Sequence, residues 1–85
     1  MTNQIVYVVQ AWDSEGNTYN KAFNNEEKAI NHYKEEVAKS VEEFKENYGN
    51  DFEYIDYSIS GGSHLATFDN EKYSENIGMV TLEVN

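Results

Sequence analysis

The chain has 85 residues, of which 16 are acidic and only six are basic, giving a net charge of −10. This length predicts one domain over residues 1–85, and the acidity disfavours direct binding to nucleic acids or anionic membranes. Because there is no cysteine, disulfides and thiolate metal sites are excluded, which favours a reducing cytoplasm.

The N-terminal part of the chain predicts a β-hairpin. Gln4 to Trp12 is rich in β-branched and aromatic residues, which suit a strand covered on both faces. The turn-forming residues Asp13 to Asn17 follow, and Thr18 to Phe23 has the composition of the returning strand. We expect no signal peptide, and no window approaches the ~18 apolar residues of a membrane span.

A long amphipathic helix is predicted next. Asn24 is a helix-capping residue, and Glu27 stands three positions later, as in a capping box. Gly49 supplies the left-handed conformation that commonly ends a helix, so the helix would have about 24 residues and be ~36 Å long. Its apolar stripe recurs at steps of three and four residues: Ile30, Tyr33, Val37, Val41, Phe44 and Tyr48.

Further strands are predicted after the helix. In order, this part comprises a strand over Phe52–Ile59, a turn over Ser60–Ser63, a short strand over His64–Phe68, a turn over Asp69–Lys72, an ambiguous stretch over Tyr73–Asn76 and a final strand over Ile77–Val84. The fold class that follows is α+β. We expect an antiparallel sheet of four or five strands in ββαββ(β) order, with one long helix packed on one face.

Alternation along the strand that follows the helix assigns its two faces. Ile55, Tyr57 and Ile59 share one face, which we expect to pack against the helix. The other face carries Phe52, Tyr54, Asp56 and Ser58. One helix covers only one face of a sheet, so an aromatic and acidic open face is expected, supplemented by apolar residues of the first strand. Such a face suits a partner surface or a homodimer seam, and the alternative is that twist and loops cover it.

Negative charge is concentrated after the helix. Residues 1–23 hold two acids and one lysine, residues 24–48 hold seven and four, and residues 49–85 hold seven and one. Carboxylates on one face of a strand stand ~6.6 Å apart, and duplex DNA also presents closely spaced negative charge. The sequence therefore predicts a partner-binding surface, with Tyr54 as an aromatic anchor. Its predicted members are Asp51, Glu53, Tyr54, Asp56, Asp69, Glu71 and Glu75. The alternative is that high net charge only keeps a small protein soluble.

No pattern of catalytic or metal-binding residues is apparent. His32 and His64 are the two histidines, and without cysteine they lack a zinc-ligand spacing. Asp13 to Gly16 lacks the spaced ligands of an EF-hand loop, and Gly61-Gly62 is not followed by the basic residue of a phosphate loop. We therefore expect a protein that is not an enzyme and that binds no metal or cofactor.

The stretch Phe23-Asn24-Asn25-Glu26-Glu27-Lys28-Ala29-Ile30 resembles the strand-to-helix passage of many small proteins of phages and mobile elements. The asparagine-rich, lysine-rich and arginine-free composition is similar to that of AT-rich bacterial hosts and their phages. The chain thus resembles small acidic anti-CRISPR and other counter-defence inhibitors, which act by occupying nucleic-acid-binding surfaces. No individual functional residue can be assigned from this resemblance.

The resemblance implies a phage-encoded inhibitor in the cytoplasm of a bacterial host. Its partner would be a basic host or defence protein, such as a nuclease or another nucleic-acid-binding protein, which it would bind in the manner of a nucleic-acid mimic. Two alternatives stay open. One is a small-ligand sensor or sequestering protein with a pocket between helix and sheet, and the other is a homodimeric accessory domain with no inhibitory role.

Overall fold

A computed structural model describes residues 4–59 and 63–84 as a five-stranded antiparallel sheet with one helix packed on one face. This architecture confirms the predicted α+β class. The strands stand in the order β2-β1-β5-β4-β3, so that β5 is central and β2 and β3 are the edges. The elements are β1 (Gln4–Asp13), β2 (Thr18–Phe23), α1 (Glu26–Tyr48), β3 (Glu53–Ile59), β4 (Ser63–Asn70) and β5 (Tyr73–Val84).

The two ends of α1 are fixed by local hydrogen bonds. Its N-cap is Asn25, one residue later than the predicted Asn24, and the Asn25 side chain accepts a hydrogen bond of 3.0 Å from the backbone N–H of Lys28. Gly49 ends the helix as predicted, with a φ of 63° and a backbone N–H that donates to the carbonyl of Lys45 at 2.9 Å.

The two strands β4 and β5 are longer than the sequence predicts. β4 continues to Asn70, and β5 begins at Tyr73, so the ambiguous stretch belongs to the central strand. The turn between them is tight because the side chain of Asn70 accepts a hydrogen bond of 2.9 Å from the backbone N–H of Lys72. The predicted turn over Ser60–Ser63 lies, in its first three positions, outside the described residues.

The core fills the space between α1 and the sheet. The helix contributes most of the predicted stripe to it, with Tyr33, Val37 and Phe44 buried and with Ile30, Val41 and Tyr48 partly buried. The sheet contributes these buried side chains: Val9, Ala66, Phe68, Ile77 and Met79. These contacts confirm that the predicted stripe faces the sheet.

An aromatic cluster around Phe44 forms one end of this core. The Phe44 ring centroid lies 5.3 Å from those of Phe52 and Phe68, 5.5 Å from that of Tyr48 and 5.6 Å from that of Tyr73. One helical side chain therefore contacts the loop before β3 and the strands β4 and β5 at once.

The alternation predicted for β3 is correct, but its two faces are reversed. Tyr54 and Asp56 lie on the helix side, where the Tyr54 ring stacks on Phe68 with centroids 4.8 Å apart. Ile55 and Tyr57, which we expected beneath the helix, are 46% and 45% exposed on the other side. The reason is the edge position of β3, because α1 packs mainly on β1 and β5. Polar groups can therefore occupy the helix side of β3 without full burial.

We predict that Phe44→Ala lowers the free energy of unfolding by about 3–5 kcal/mol, because it opens a cavity among four aromatic rings. In a domain of this size the melting temperature should fall by about 12 °C or more, as measured by circular dichroism. Lys39→Ala, at an exposed position of the same helix, is the control and should leave the melting temperature nearly unchanged. Equal melting temperatures for the two variants would show that this helix face is wrongly assigned.

Candidate protein-interaction surface

Four of the carboxylates predicted to bind a partner meet at one end of the sheet. Asp51 lies in the loop after α1, Glu53 begins β3, Asp69 lies near the end of β4 and Glu71 lies in the β4–β5 turn. Together they line a shallow hollow of about 360 Å³, and no basic residue is among the described residues that line it. We call these four residues the acidic hollow. All four are exposed to solvent.

The backbone around the acidic hollow is held in place by hydrogen bonds. The Asn70 side chain donates to the carbonyl of Asp51 at 2.6 Å, and the backbone N–H of Asp51 donates to the carbonyl of Tyr48 at 3.0 Å. These bonds tie the loop after α1 to the end of β4. The four carboxylates therefore stand on a fixed frame rather than on independent loops.

The acidic hollow contains a pairing that does not favour folding. Glu53 and Asp69 are direct neighbours in the β3–β4 register, and like charges directly opposite each other destabilise a sheet. A local arrangement that opposes stability without a visible compensation is more common at functional sites than elsewhere. A cationic partner would relieve this repulsion.

Asp56 lies in a separate cleft between α1 and β3. Two phenols donate to its carboxylate, Tyr33 to Oδ1 at 2.9 Å and Tyr54 to Oδ2 at 3.2 Å. Desolvation and then the hydrogen bond to Asp56 raise the pKa of Tyr33, and the pKa of Tyr54 is raised by desolvation and the charge of Asp56. The cleft has a volume of about 430 Å³, and Val37 and Val41 contribute to its apolar wall.

Glu75, the seventh predicted residue, lies apart from the acidic hollow. It is on the helix side of β5, where its Oε1 accepts a hydrogen bond from Ser40 of α1. The hydroxyl of Tyr73 lies 3.1 Å from Glu75 Oε2 and 3.0 Å from Asp13 Oδ2. Desolvation and then the hydrogen bond to Asp13 raise the pKa of Tyr73. Glu75 therefore joins the helix to the sheet.

The pKa of Asp13 is shifted by the same group of contacts. Desolvation acts to raise it, but hydrogen bonds from the Asn17 backbone and side chain, from Tyr73 and from the Glu15 backbone lower it below its ordinary value. Asp13 thereby closes the β1–β2 turn and contacts the central strand through one carboxylate.

The structure adds residues that the sequence did not assign to this surface. Tyr33 was expected only in the core, yet its hydroxyl positions Asp56. No sequence signal marks that role, because a tyrosine at a helical stripe position has the same pattern whether or not its hydroxyl has a partner. The same holds for Ser40, whose partner Glu75 is 35 residues away.

The described parts of the chain offer no arrangement for a metal ion. Across residues 4–59 and 63–84, no three histidine, aspartate or glutamate side chains are placed to hold one. His32 instead has its Nε2 2.9 Å from the Tyr19 hydroxyl, and the His64 ring lies 5.3 Å from that of Tyr33. Within the same residues, no helix combines the length and the apolar character needed to cross a bilayer.

The chemistry of this surface is that of hydrogen-bond acceptors and negative charge. The acidic hollow and Asp56 can accept hydrogen bonds from ammonium and guanidinium groups, and the half-exposed Tyr54 ring offers an aromatic contact beside them. Comparison with protein-family models, curated proteins and solved structures found no match to this chain.

We predict that Tyr33 and Tyr73 titrate above the ordinary tyrosine pKa of about 10, because desolvation disfavours the phenolate and ionisation would place a second negative charge beside a carboxylate. A raised pKa in the folded state means that their contribution to stability is fully present below pH 10 and is lost as the pH rises above it. Absorbance at 295 nm should show late-titrating phenols, one fewer in Tyr33→Phe.

The control for this titration is the chain in denaturant, where all phenols should titrate near their ordinary pKa of about 10. If Tyr33→Phe removes a phenol that titrates at the same pH in folded and unfolded chains, the hydrogen bond between Tyr33 and Asp56 is not formed in solution.

Proposed function

We propose that this chain is a small acidic protein-binding inhibitor that occupies a basic, nucleic-acid-binding surface of a host or defence protein. The observation that carries the proposal is the acidic hollow, in which two separate segments of the chain bring four exposed carboxylates together. In this proposal the protein is phage-encoded, acts in the bacterial cytoplasm and catalyses no reaction.

Electrostatics supports this choice of partner. A net charge of −10 accelerates encounter with a positively charged surface and repels other anions. Arginine and lysine side chains that normally contact phosphates form charge-assisted hydrogen bonds with carboxylates as well. Binding to such a surface would also relieve the repulsion between Glu53 and Asp69. A nucleic-acid-binding protein offers the most suitable complement.

The cleft beside the acidic hollow supports the same kind of partner. Asp56 and Tyr54 stand on one wall and Val37 and Val41 on the other. A long basic side chain fits this combination, because its aliphatic stem packs on apolar surface while its charged end pairs with a carboxylate. Tyr54 and Glu53 are consecutive in β3 and point to opposite faces, so the cleft and the acidic hollow use the two sides of this edge strand.

A second candidate function rests on the same cleft. Its volume of about 430 Å³ falls within the ~300–1,000 Å³ of small-molecule sites, as expected of a small-ligand sensor or sequestering protein. The cleft is shallow, and its charged lining residues are Asp56 and Glu42 together with Lys34. The net charge of this described lining is negative, so a cationic ligand would be preferred. We favour the protein partner because the acidic hollow lies outside this cleft and would have no role in binding a small ligand.

We predict that the combined variant Asp51→Asn, Glu53→Gln, Asp69→Asn and Glu71→Gln loses its partner. At about 0.2–1 kcal/mol for each of four exposed charge pairs, the complex should weaken by about 1–4 kcal/mol and depend less steeply on salt. The measurement is capture of bacterial proteins by the immobilised chain across a salt series, with identification of what is captured. Wild-type capture of a nucleic-acid-binding protein should be reversed by added duplex DNA.

A matched control removes the same number of charges elsewhere. Glu15, Glu27, Glu35 and Glu43 are exposed and lie outside the acidic hollow, so their replacement by glutamine tests charge alone. This control should retain most of the binding. Equal loss in both variants would leave only diffuse attraction, and capture that duplex DNA does not reverse would contradict the proposed surface.

We also predict that the chain itself does not bind DNA or RNA. It has no arginine and only six lysines, and contacts between basic residues and phosphates supply most of such affinity. A gel-shift titration with bare duplex at low salt should show free DNA throughout. A stable shifted complex would contradict the proposal directly, since a protein that occupies DNA-binding surfaces should itself repel DNA.

A further inference from the structure

The sheet face opposite α1 is not covered by any described element, and it combines apolar with mostly uncharged polar side chains. We call it the open face, made up of the strand side chains that alternate away from the helix. Among its apolar members are Val8, Trp12, Ile55, Tyr57, Val80 and Leu82. Trp12, Ile55, Tyr57 and Leu82 are all exposed. Exposed large apolar side chains that share one face mark a candidate contact surface.

The open face is almost free of charge, although the chain is strongly acidic. Of 16 acids and six basic residues, the strand registers place only Glu53 and Asp69 on it, at the corner where they form part of the acidic hollow. The other charged residues lie on α1, in turns and loops, or on the helix side of the sheet. Interface cores show the same depletion of charge.

This distribution of charge indicates which kind of molecule binds to the open face. A basic partner would gain nothing from an uncharged surface when an acidic one is available on the same molecule. A second copy of this chain has the opposite requirement, because two molecules of charge −10 approach closely only where neither carries charge. The open face is the surface that meets this requirement.

The dimensions of the open face are sufficient for a stable dimer. Five strands spaced ~4.8 Å apart and about 25 Å long give a face of roughly 600 Å², or about 1,200 Å² buried over two copies. Specific interfaces bury about 1,200–2,000 Å² in total. The ring of Trp12 lies against β5, 3.6 Å from where a Cβ of Gly78 would stand, and so forms part of a continuous surface.

We propose that the open face is a homodimer interface, in which the sheets of two copies pack face to face about a two-fold axis. Such an isologous contact pairs the same patch with itself, and two sheets pack with their layers ~10 Å apart. The two helices then lie outside the interface, and each acidic hollow lies at its corner, where Glu53 and Asp69 border the open face. This proposal goes beyond the proposed function and does not depend on it.

The first test is the mass of the chain in solution. Sedimentation equilibrium should give twice the monomer mass of 9.8 kDa at tens of micromolar, with dissociation on dilution. Raising the salt concentration should strengthen the dimer, because it screens repulsion between the two anionic copies. Binding to a basic partner should respond to salt in the opposite direction, so the two proposals can fail independently.

The single tryptophan provides a second readout. Trp12 is exposed in the isolated chain and lies on the open face, so its fluorescence should shift to shorter wavelength as the concentration rises. The mid-point of that shift should match the dissociation constant from sedimentation. A monomer at the highest concentration reached, or a dimer whose formation leaves Trp12 emission unchanged, would overturn the proposal.

Two matched variants test whether the dimer interface is the open face. Leu82→Lys places a charge on the open face, whereas Ile5→Lys places one on the opposite face of the neighbouring strand. The two positions are 50% and 46% exposed, and both changes alter the net charge equally. We expect Leu82→Lys to weaken the dimer at least tenfold and Ile5→Lys to leave it nearly unchanged, with both variants keeping the wild-type circular dichroism spectrum.

Tyr57→Lys serves as the second open-face variant, in case Leu82→Lys disturbs the fold. Tyr57 is exposed on the edge strand β3, two strands away from Leu82 on the central strand. Its replacement should not disrupt the core and should also weaken the dimer. A dimer that tolerates both open-face variants, or that Ile5→Lys weakens equally, would show that the copies meet elsewhere.

Discussion

The contact of Phe44 with four surrounding rings positions everything that lies on the helix side of the sheet. One helix can slide or rotate on a sheet unless a bulky side chain fixes its register. Phe44 fixes one end, and Tyr33, about three turns earlier, then reaches β3, where its hydroxyl donates to Asp56. The cleft between α1 and β3 is thus a consequence of aromatic packing rather than of a separate structural element.

The position of the carboxylates also follows from this packing. Phe52 is held against Phe44, so the residues on either side of it, Asp51 and Glu53, are brought to the end of the sheet. The hydrogen bond from Asn70 to the carbonyl of Asp51 brings the end of β4 to the same place. Each carboxylate is exposed, but its backbone is not free to move away from its like-charged neighbours.

Local sequence patterns are sufficient to predict the helix, but they do not show which face of β3 packs against it. The helical stripe and Gly49 were predicted because period and backbone conformation are properties of neighbouring residues. Asn24 and Asn25 are equally good caps, so only the structure distinguishes them. Both faces of β3 carry aromatic residues, and the choice between them depends on the distant Tyr33 and Phe68. The four carboxylates of the acidic hollow are among the residues that the sequence predicts to bind a partner. Which of the predicted residues come together depends on the β3–β4 register.

Because α1 covers only one side of the sheet, the molecule has two exposed surfaces of different character. One carries apolar side chains and the other carries carboxylates. In an 85-residue chain the apolar area available for a core is scarce, yet Trp12 and Leu82 remain outside it. Covering them with a second copy would add stability that increases with the logarithm of the protein concentration. The charged end of the sheet cannot serve that purpose, because its carboxylates repel their own copies. Self-association through the apolar side chains of the open face and recognition of a basic partner through the carboxylates at its corner therefore use different residues and can occur in one assembly.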